Sequence, residues 1–372
     1  MITITEAVTP SELKQYIRFP FSLYKDNPNW IPPLINDELL TFSKTKNPAF
    51  LSAEAYFFMA FNDGKMVGRI CAIINWDEVN DQQKKKVRFG WWDVIDDIEV
   101  TKALLEKVYE LGRKNNLEYV EGPMGFSNLD KVGVLTEGFD QMGSMITWYN
   151  FPYYKKHLEQ LGYVKEKEYL ENEMLFENIK PEFFYKAQEL IKKRYQLKPL
   201  NFTRTKDIMS YVDEMFDLFN ASYASLSSFV AVTEAQKEFF KKKYISFINP
   251  EFIKFVMDKD NKMVAFSIVM PSFSTALKKA NGSLFPFGFY HFLKAKRECK
   301  EVLFYLIGVD PYYQNKGVTA IIFNECYNSF VEKGVVKCIR TPELEDNIAV
   351  HNLWKHFSPV TTKRRRTYRK DI

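Results

Sequence analysis

The order of elements predicts an α/β protein built from two similar units, each a mixed β-sheet flanked by helices. Three observations carry this reading. A tight hairpin occurs twice, the same succession of elements follows each hairpin, and 372 residues exceed one typical core. In the first hairpin, residues 55–61 and 66–75 read as strands around Asn62, Asp63, Gly64 and Lys65, with Asn and Gly supplying the turn. In the second, residues 252–258 and 263–270 flank Lys259, Asp260, Asn261 and Lys262 in the same way. Each hairpin leads to a strand (87–94; 302–309), a helix (98–115; 317–333) and a short strand (118–121; 335–340). A short helix (153–161; 347–357) and a final strand (163–176; 360–368) complete each half. The repetition implies an internal duplication, divided as 1–178 and 179–372. Between the halves, residues 181–195, 208–222 and 233–247 place apolar side chains at helical spacing. Met209, Val212, Met215, Phe216 and Phe219 form one such stripe, the pattern of a core-facing side. Helices are also expected near residues 11–23 and from Asn36.

Hydrophobic residues make up 46% and charged residues 27%, a globular rather than a disordered composition. The 33 Phe and 21 Tyr suit filled cores or an apolar ligand tunnel. The net charge of +5 is concentrated in residues 361–372, where Lys363, Arg364, Arg365, Arg366, Arg369 and Lys370 face only Asp371; the other 360 residues are formally neutral. A nucleic-acid binder spreads its cations along a face or groove, so no nucleic-acid partner is expected. Cys71, Cys299, Cys326 and Cys338 lie far apart and read as reduced thiols, not as a disulfide frame or zinc knuckle. The four histidines form no metal-binding pattern, and no metal is expected. Met1 leads directly into a short β-type run, and no segment approaches the roughly 18 apolar residues of a membrane span. The expectation is a cytoplasmic protein.

Chemistry concentrates after the strand at 302–309. Asp310 and Pro311 mark its exit, and Tyr312, Tyr313, Gln314, Asn315, Lys316, Gly317, Val318 and Thr319 lead into a helix. A loop that opens a helix presents unpaired N–H groups at the positive end of the helix dipole, which suits a pyrophosphate. Gly317 lets an anion approach the backbone, and Lys316 adds charge. The corresponding stretch of the first half, Trp92 to Asp97, carries three aspartates, which repel such a group.

The run Val309, Pro311, Gln314, Gly317 resembles the V-x-P-x-x-Q-x-x-G motif of the GNAT acyltransferases. The resemblance implies two tandem GNAT-like acyl-CoA N-acyltransferase folds, the first degenerate. The loop from Gln314 to Thr319 would hold the CoA pyrophosphate, and the strand through Ile307 and Val309 would bulge to pair with the pantetheine arm. Glu345, Asp346 and Asn347, followed by Leu353 and Trp354, resemble the second CoA-proximal motif, in which Asn347 begins a helix beside the coenzyme. Three positions depart from the pattern: Thr319 at the second small-residue site, Trp354 where many members place a proton-donating tyrosine, and Ser358-Pro359 at the usual Gly-Phe exit.

Gly122 to Ser127, Gly138 to Asp140, Tyr149 to Tyr154, Leu161 to Tyr163 and Arg366 to Arg369 together resemble a bacterial tandem-GNAT family related to bacterial ceramide synthases. That resemblance implies acyl-CoA or acetyl-CoA as donor and a small-molecule or lipid amine as acceptor. The apolar–basic run from Leu284 to Tyr290, ahead of Lys294 and Lys296, suits a lipid substrate or peripheral membrane contact, but equally a helix packed on the sheet. The transfer needs a base, an oxyanion donor and an acid. Glu343, Tyr305 and Glu345 are the candidate bases, and a backbone N–H near Ile307 the carbonyl donor. Two rival readings stand beside this one. A catalytically retired CoA-binding protein would act as sensor or scaffold, and a Fem-like aminoacyl transferase would bind charged tRNA, which the neutral bulk of the chain disfavours.

Overall fold

The hairpins form where their turn residues require them: Asp63 and Gly64 both adopt positive φ (49° and 76°), as does Asn261 (59°) in the second. The computed structural model describes every residue except 227–228, 245–247 and 355–356. The end of the helix expected at 233–247 and two residues near the end of that expected at 347–357, His356 included, therefore lie outside the described residues. The elements run β1 (Ile2–Glu6), α1 (Pro10–Leu23), α2 (Ile35–Thr41), β2 (Ala53–Asn62), β3 (Lys65–Asn75), β4 (Lys86–Val94), α3 (Ile98–Lys114), β5 (Tyr119–Gly122), β6 (Val134–Glu137), α4 (Tyr153–Gln160) and β7 (Val164–Leu175). Then come α5 (Pro181–Tyr195), β8 (Lys198–Leu200), α6 (Thr205–Ile208), α7 (Val212–Tyr223), α8 (Glu234–Tyr244), β9 (Ile253–Met257), β10 (Met263–Pro271), α9 (Ser274–Ala280) and α10 (Gly288–Arg297). The chain ends with β11 (Glu301–Val309), α11 (Thr319–Lys333), β12 (Lys337–Arg340), β13 (Glu343–Leu344), α12 (Ile348–Trp354) and β14 (Val360–Asp371). The helix expected at 208–222 is broken by a 3-10 turn at Met209–Tyr211.

Two compact units result. The first is Met1–Leu170 with Ser274–His291 and Thr362–Ile372; the second is Glu171–Phe273 with Phe292–Thr361. In the first, the strand order is β1-β2-β3-β4-β5-β14, with β6 also pairing β14. β4 and β5 are parallel, joined through α3, and β14 runs antiparallel to β5 with Tyr368 opposite Gly122. In the second, the order is β8-β9-β10-β11-β12-β7. Here β11 and β12 are the parallel pair, joined through α11, and β7 runs antiparallel to β12 with Met174 opposite Cys338.

The two orders match strand for strand, as a duplication predicts, but the last strands are exchanged. β14, from the end of the chain, completes the first sheet, and the part of β7 beyond Leu170 completes the second. The contact division is thus not the linear one expected at 178/179. A sheet edge takes any strand of suitable register, and local pattern does not say which.

In each unit the helix that joins the two parallel strands covers one face of the sheet. α3 buries Val100, Leu104, Leu105 and Val108 with Ile70, Val87 and Phe89. α11 buries Ile321, Ile322, Phe323, Cys326 and Phe330 with Val264, Val302 and Phe304.

The basic run at the C-terminus is an inner strand. Lys363, Arg365, Thr367 and Tyr368 are buried. Arg366 pairs with Glu168 at 2.8 Å, and Arg364 with Glu137 at 3.2 Å. Deleting residues 361–372 should therefore lower the melting temperature, with a loss of about 3 kcal/mol or more from Tyr368 and the unpaired edge. Differential scanning calorimetry checks this; an unchanged transition would identify a free tail.

Candidate functional site

The expected site residues lie where the second unit's parallel strands end, the position at which α/β sheets present ligand sites. β11 and β12 stay in register from Glu301/Lys337 to Phe304/Arg340. Beyond that, Thr341 still reaches back, its N–H donating to the Phe304 carbonyl at 3.3 Å and its hydroxyl to the Tyr305 carbonyl at 3.4 Å. The outer half of β11 then runs on without β12.

The bulge expected near Ile307 falls at Tyr305. β10 pairs Ile268 with Leu306 and then Val269 with Phe304, which leaves Tyr305 as the extra residue. α7 faces the outer half of the strand: Tyr223 donates to the Ile307 carbonyl at 3.0 Å, and Ser222 to the Val309 carbonyl at 3.0 Å. In extended backbone the N–H of a residue shares the edge of its C=O, so the Ile307 and Val309 amides point the same way. Tyr223 was missed in the sequence because it sits one residue past the expected helix end. Burial raises its phenol to about 12, which keeps it protonated at neutral pH.

The loop between β11 and α11 is held by its own side chains. Asp310 accepts from the Tyr312 amide at 2.9 Å, and its carbonyl accepts from the Tyr313 and Gln314 amides. Gln314 reaches back to the Val309 carbonyl at 3.2 Å. Asn315 and Gly317 both take positive φ, 61° and 77°. A Cβ at Gly317 would meet Ile191 of α5 at 3.3 Å, so at this positive φ a side chain would be both strained and crowded. Among the described residues, no backbone acceptor takes up the N–H groups of Gly317, Val318 and Thr319. Lys316 is not extended into that space; its ammonium lies 3.1 Å from the centroid of the Tyr312 ring. Val318 is buried and anchors the loop to the core.

The remaining candidates sit on the segment after β12. Glu343 is paired with Arg340, whose Nε donates to it at 3.0 Å and whose other guanidinium nitrogen also contacts it. Arg340 in turn stacks on Trp354, 4.8 Å from the ring. Trp354 is a core residue, packed against Phe304, Phe323 and Phe357, and its indole N–H has no hydrogen-bond partner among the described residues. Glu345 is exposed. Asn347 caps α12, its side-chain oxygen accepting from the Val350 amide at 3.2 Å.

The same architecture in the first unit is closed. β4 also carries a register shift against β3, between Arg69/Asp93 and Cys71/Gly90. Only Ile95, Asp96 and Asp97 then separate β4 from α3, so the long loop is missing. Asp97 caps α3 itself, accepting from the Glu99 amide at 2.9 Å. Asp93 is buried against Arg69 at 2.7 Å and accepts from Tyr24 at 2.9 Å. A carboxylate thus stands where an anion would bind.

Bulge, parted strands and helix-opening loop define a GNAT fold in the second unit, repeated without the loop in the first. No family model matches the chain. It is 27% identical to protein YghO of Escherichia coli K12, over 97% of this chain and 93% of the relative. It is 26% identical to a protein of Caulobacter vibrioides named bacterial ceramide synthase, over 77% of this chain and 74% of that one. Among solved structures, a tandem GNAT protein from the clavulanic acid biosynthesis pathway matches all of this chain and 98% of its own, with a TM-score of 0.59 at 11% identity. The chain has the tandem GNAT fold.

The Arg340–Glu343 pair yields a stability test. Replacing Glu343 by Ala leaves a buried guanidinium uncompensated, so Glu343→Ala should cost about 3 kcal/mol in a denaturant titration. A wild-type midpoint would show the pair to be energetically idle.

Proposed function

We propose that the chain is an acyl-CoA-dependent N-acyltransferase with one CoA site, in the second unit. The observation that carries this reading is the bulge at Tyr305 beside the parted strands, together with a helix-opening loop in which the Gly317, Val318 and Thr319 amides have no backbone acceptor among the described residues. The amides of Gly317, Val318 and Thr319 would take the pyrophosphate, with Gln314 and Asn315 shaping the loop and Lys316 adding charge from beside it. The Val309 and Ile307 amides would take the pantetheine arm and the thioester carbonyl, and Asn347 would flank the coenzyme.

The reaction needs few groups. The amine loses a proton to a base, its nitrogen forms a bond to the thioester carbon, and the C–S bond breaks. The electron pair leaves on sulfur, which then takes a proton. Glu343 is committed to Arg340, which favours Tyr305 or Glu345 as base. With Trp354 in the core, Tyr223 is the hydroxyl proposed as acid, and it would exchange its present acceptor, the Ile307 carbonyl, for the departing sulfur. Similarity to the Caulobacter protein supports a lipid amine acceptor and a long-chain donor. The aromatic run from Leu284 to Tyr290 does not add to this, because it is not folded into a tunnel: Phe285, Phe287, Phe289 and Tyr290 are exposed.

Calorimetry with CoA, acetyl-CoA and palmitoyl-CoA, below the micelle concentration, tests the reading. One site per chain is expected, lost in Gly317→Glu by charge and bulk. Each buried methylene contributes about 0.8 kcal/mol, so palmitoyl-CoA should bind at least tenfold more tightly than acetyl-CoA even after ordering costs. Equal affinity for all three would favour a retired CoA binder, and acetyl-CoA binding best would favour a small-amine acetyltransferase. With a long-chain amine as acceptor, Tyr223→Phe should lower kcat about a hundredfold while KM holds.

A further inference from the structure

Lys316 precedes Gly317 in the helix-opening loop, and its ammonium is held by three tyrosine rings. The ring centroids lie at 3.1 Å for Tyr312, 5.5 Å for Tyr313 and 5.7 Å for Tyr195. The rings also meet one another edge to face, Tyr312 with Tyr313 at 5.0 Å and Tyr195 with Tyr313 at 6.0 Å. Two of them belong to the loop; the third closes α5, outside the motif that marks the loop. The guanidinium of Arg194 lies 5.3 Å from that third ring.

The helical period of α5 places Arg194 and Tyr195 here. Ile191 is the residue that would meet a Cβ at Gly317. Arg194 and Tyr195 follow it by three and four residues, so they share its face one turn, about 5 Å, further along the helix. Lys192 is taken by Glu189 at 2.7 Å, and Lys193 acts on the same carboxylate. The carboxylates that bear on the Tyr313 phenol are Asp258, Asp310 and Asp260, and each is engaged elsewhere. Asp258 accepts from the Asp260 and Lys262 amides at 2.9 Å, Asp260 pairs with Lys259 at 3.5 Å, and Asp310 pairs with Lys262 at 3.5 Å. Among the described residues, the charged groups of Arg194 and Lys316 form no ion pair.

Tyr312 is 68% exposed and Arg194 is exposed as well, so a ring and a guanidinium are displayed beside the Gly317, Val318 and Thr319 amides. Aromatic faces next to an unpaired guanidinium suit a purine that carries a phosphate monoester. The rings stack on the base, and the guanidinium takes the phosphate through parallel hydrogen bonds. In CoA the pyrophosphate continues directly into such a nucleoside, whose ribose bears the 3′-phosphate.

We propose that Tyr195 and Tyr312 seat the adenine of CoA, displacing the Lys316 ammonium from the rings, and that Arg194 binds the ribose 3′-phosphate. The end of α5 thereby selects CoA over its dephospho form. The inference rests on the CoA site proposed above and adds a helix to it.

Calorimetry with CoA and dephospho-CoA tests it. Wild type should bind CoA about tenfold more tightly than dephospho-CoA. Arg194→Ala should abolish that preference and leave dephospho-CoA affinity unchanged. Tyr312→Ala should weaken both ligands about tenfold and keep the preference. Both variants replace exposed side chains, so their melting temperatures should match wild type. CoA binding that Gly317→Glu abolishes, combined with equal affinity for dephospho-CoA or with the preference intact in Arg194→Ala, overturns the inference and leaves the CoA site standing. Full affinity in Tyr312→Ala overturns the adenine seat. Absence of CoA binding by the wild type overturns the site itself, and this inference with it.

Discussion

β5 is four residues long and has β4 on one side only; without β14 its other edge would present unpaired N–H and C=O groups to water or to another chain. The same holds for β12, which has β11 on one side and needs β7 on the other. Each sheet is completed by a strand from the opposite half of the sequence, and the remaining packing follows from that constraint. Arg365 and Lys363 are buried because β14 is an inner strand. Glu168, on the approach to the exchanged part of β7, is lowered in pKa, its burial being outweighed by Arg366 and Lys165.

The two units differ in what surrounds the strand before the covering helix. Both have a register shift in the strand that precedes the covering helix. In the second unit, that strand's outer carbonyls are met by hydroxyls of α7, and a long loop follows. In the first, a buried arginine–aspartate pair and a self-capping aspartate fill the corresponding places. The backbone plan is thus shared, and the two units differ in the loop and the side chains placed around it.

Most elements were legible because their signals are local. Turn residues fixed both hairpins, the repeated order of elements marked α3 and α11, helical spacing marked α5 and α7, and Gly317 after Pro311 marked the loop. Three features depend on partners distant in sequence and so escaped. β7 and β14 satisfy the same strand pattern, and only long-range register decides which sheet each joins. Trp354 stands at a motif position, yet its surroundings of Phe304, Phe323 and Phe357 make it core. The rings from Phe285 to Tyr290 read equally as buried or displayed until their exposure was seen. The terminal cations fall, as expected, in a final strand; charge counted along a sequence does not say how many of them are buried.

The strand exchange also bears on how the chain comes off the ribosome. The first unit's edge at β5 is made early, but its partner strand begins only at Val360. At about 5–20 residues per second, the interval is on the order of ten seconds or more, far longer than a hairpin takes to form. During that interval a nascent first unit carries an unsatisfied edge, and the emerging β7 is the nearest strand able to occupy it. Vectorial synthesis therefore leaves this edge without its final partner for longer than any local element takes to form.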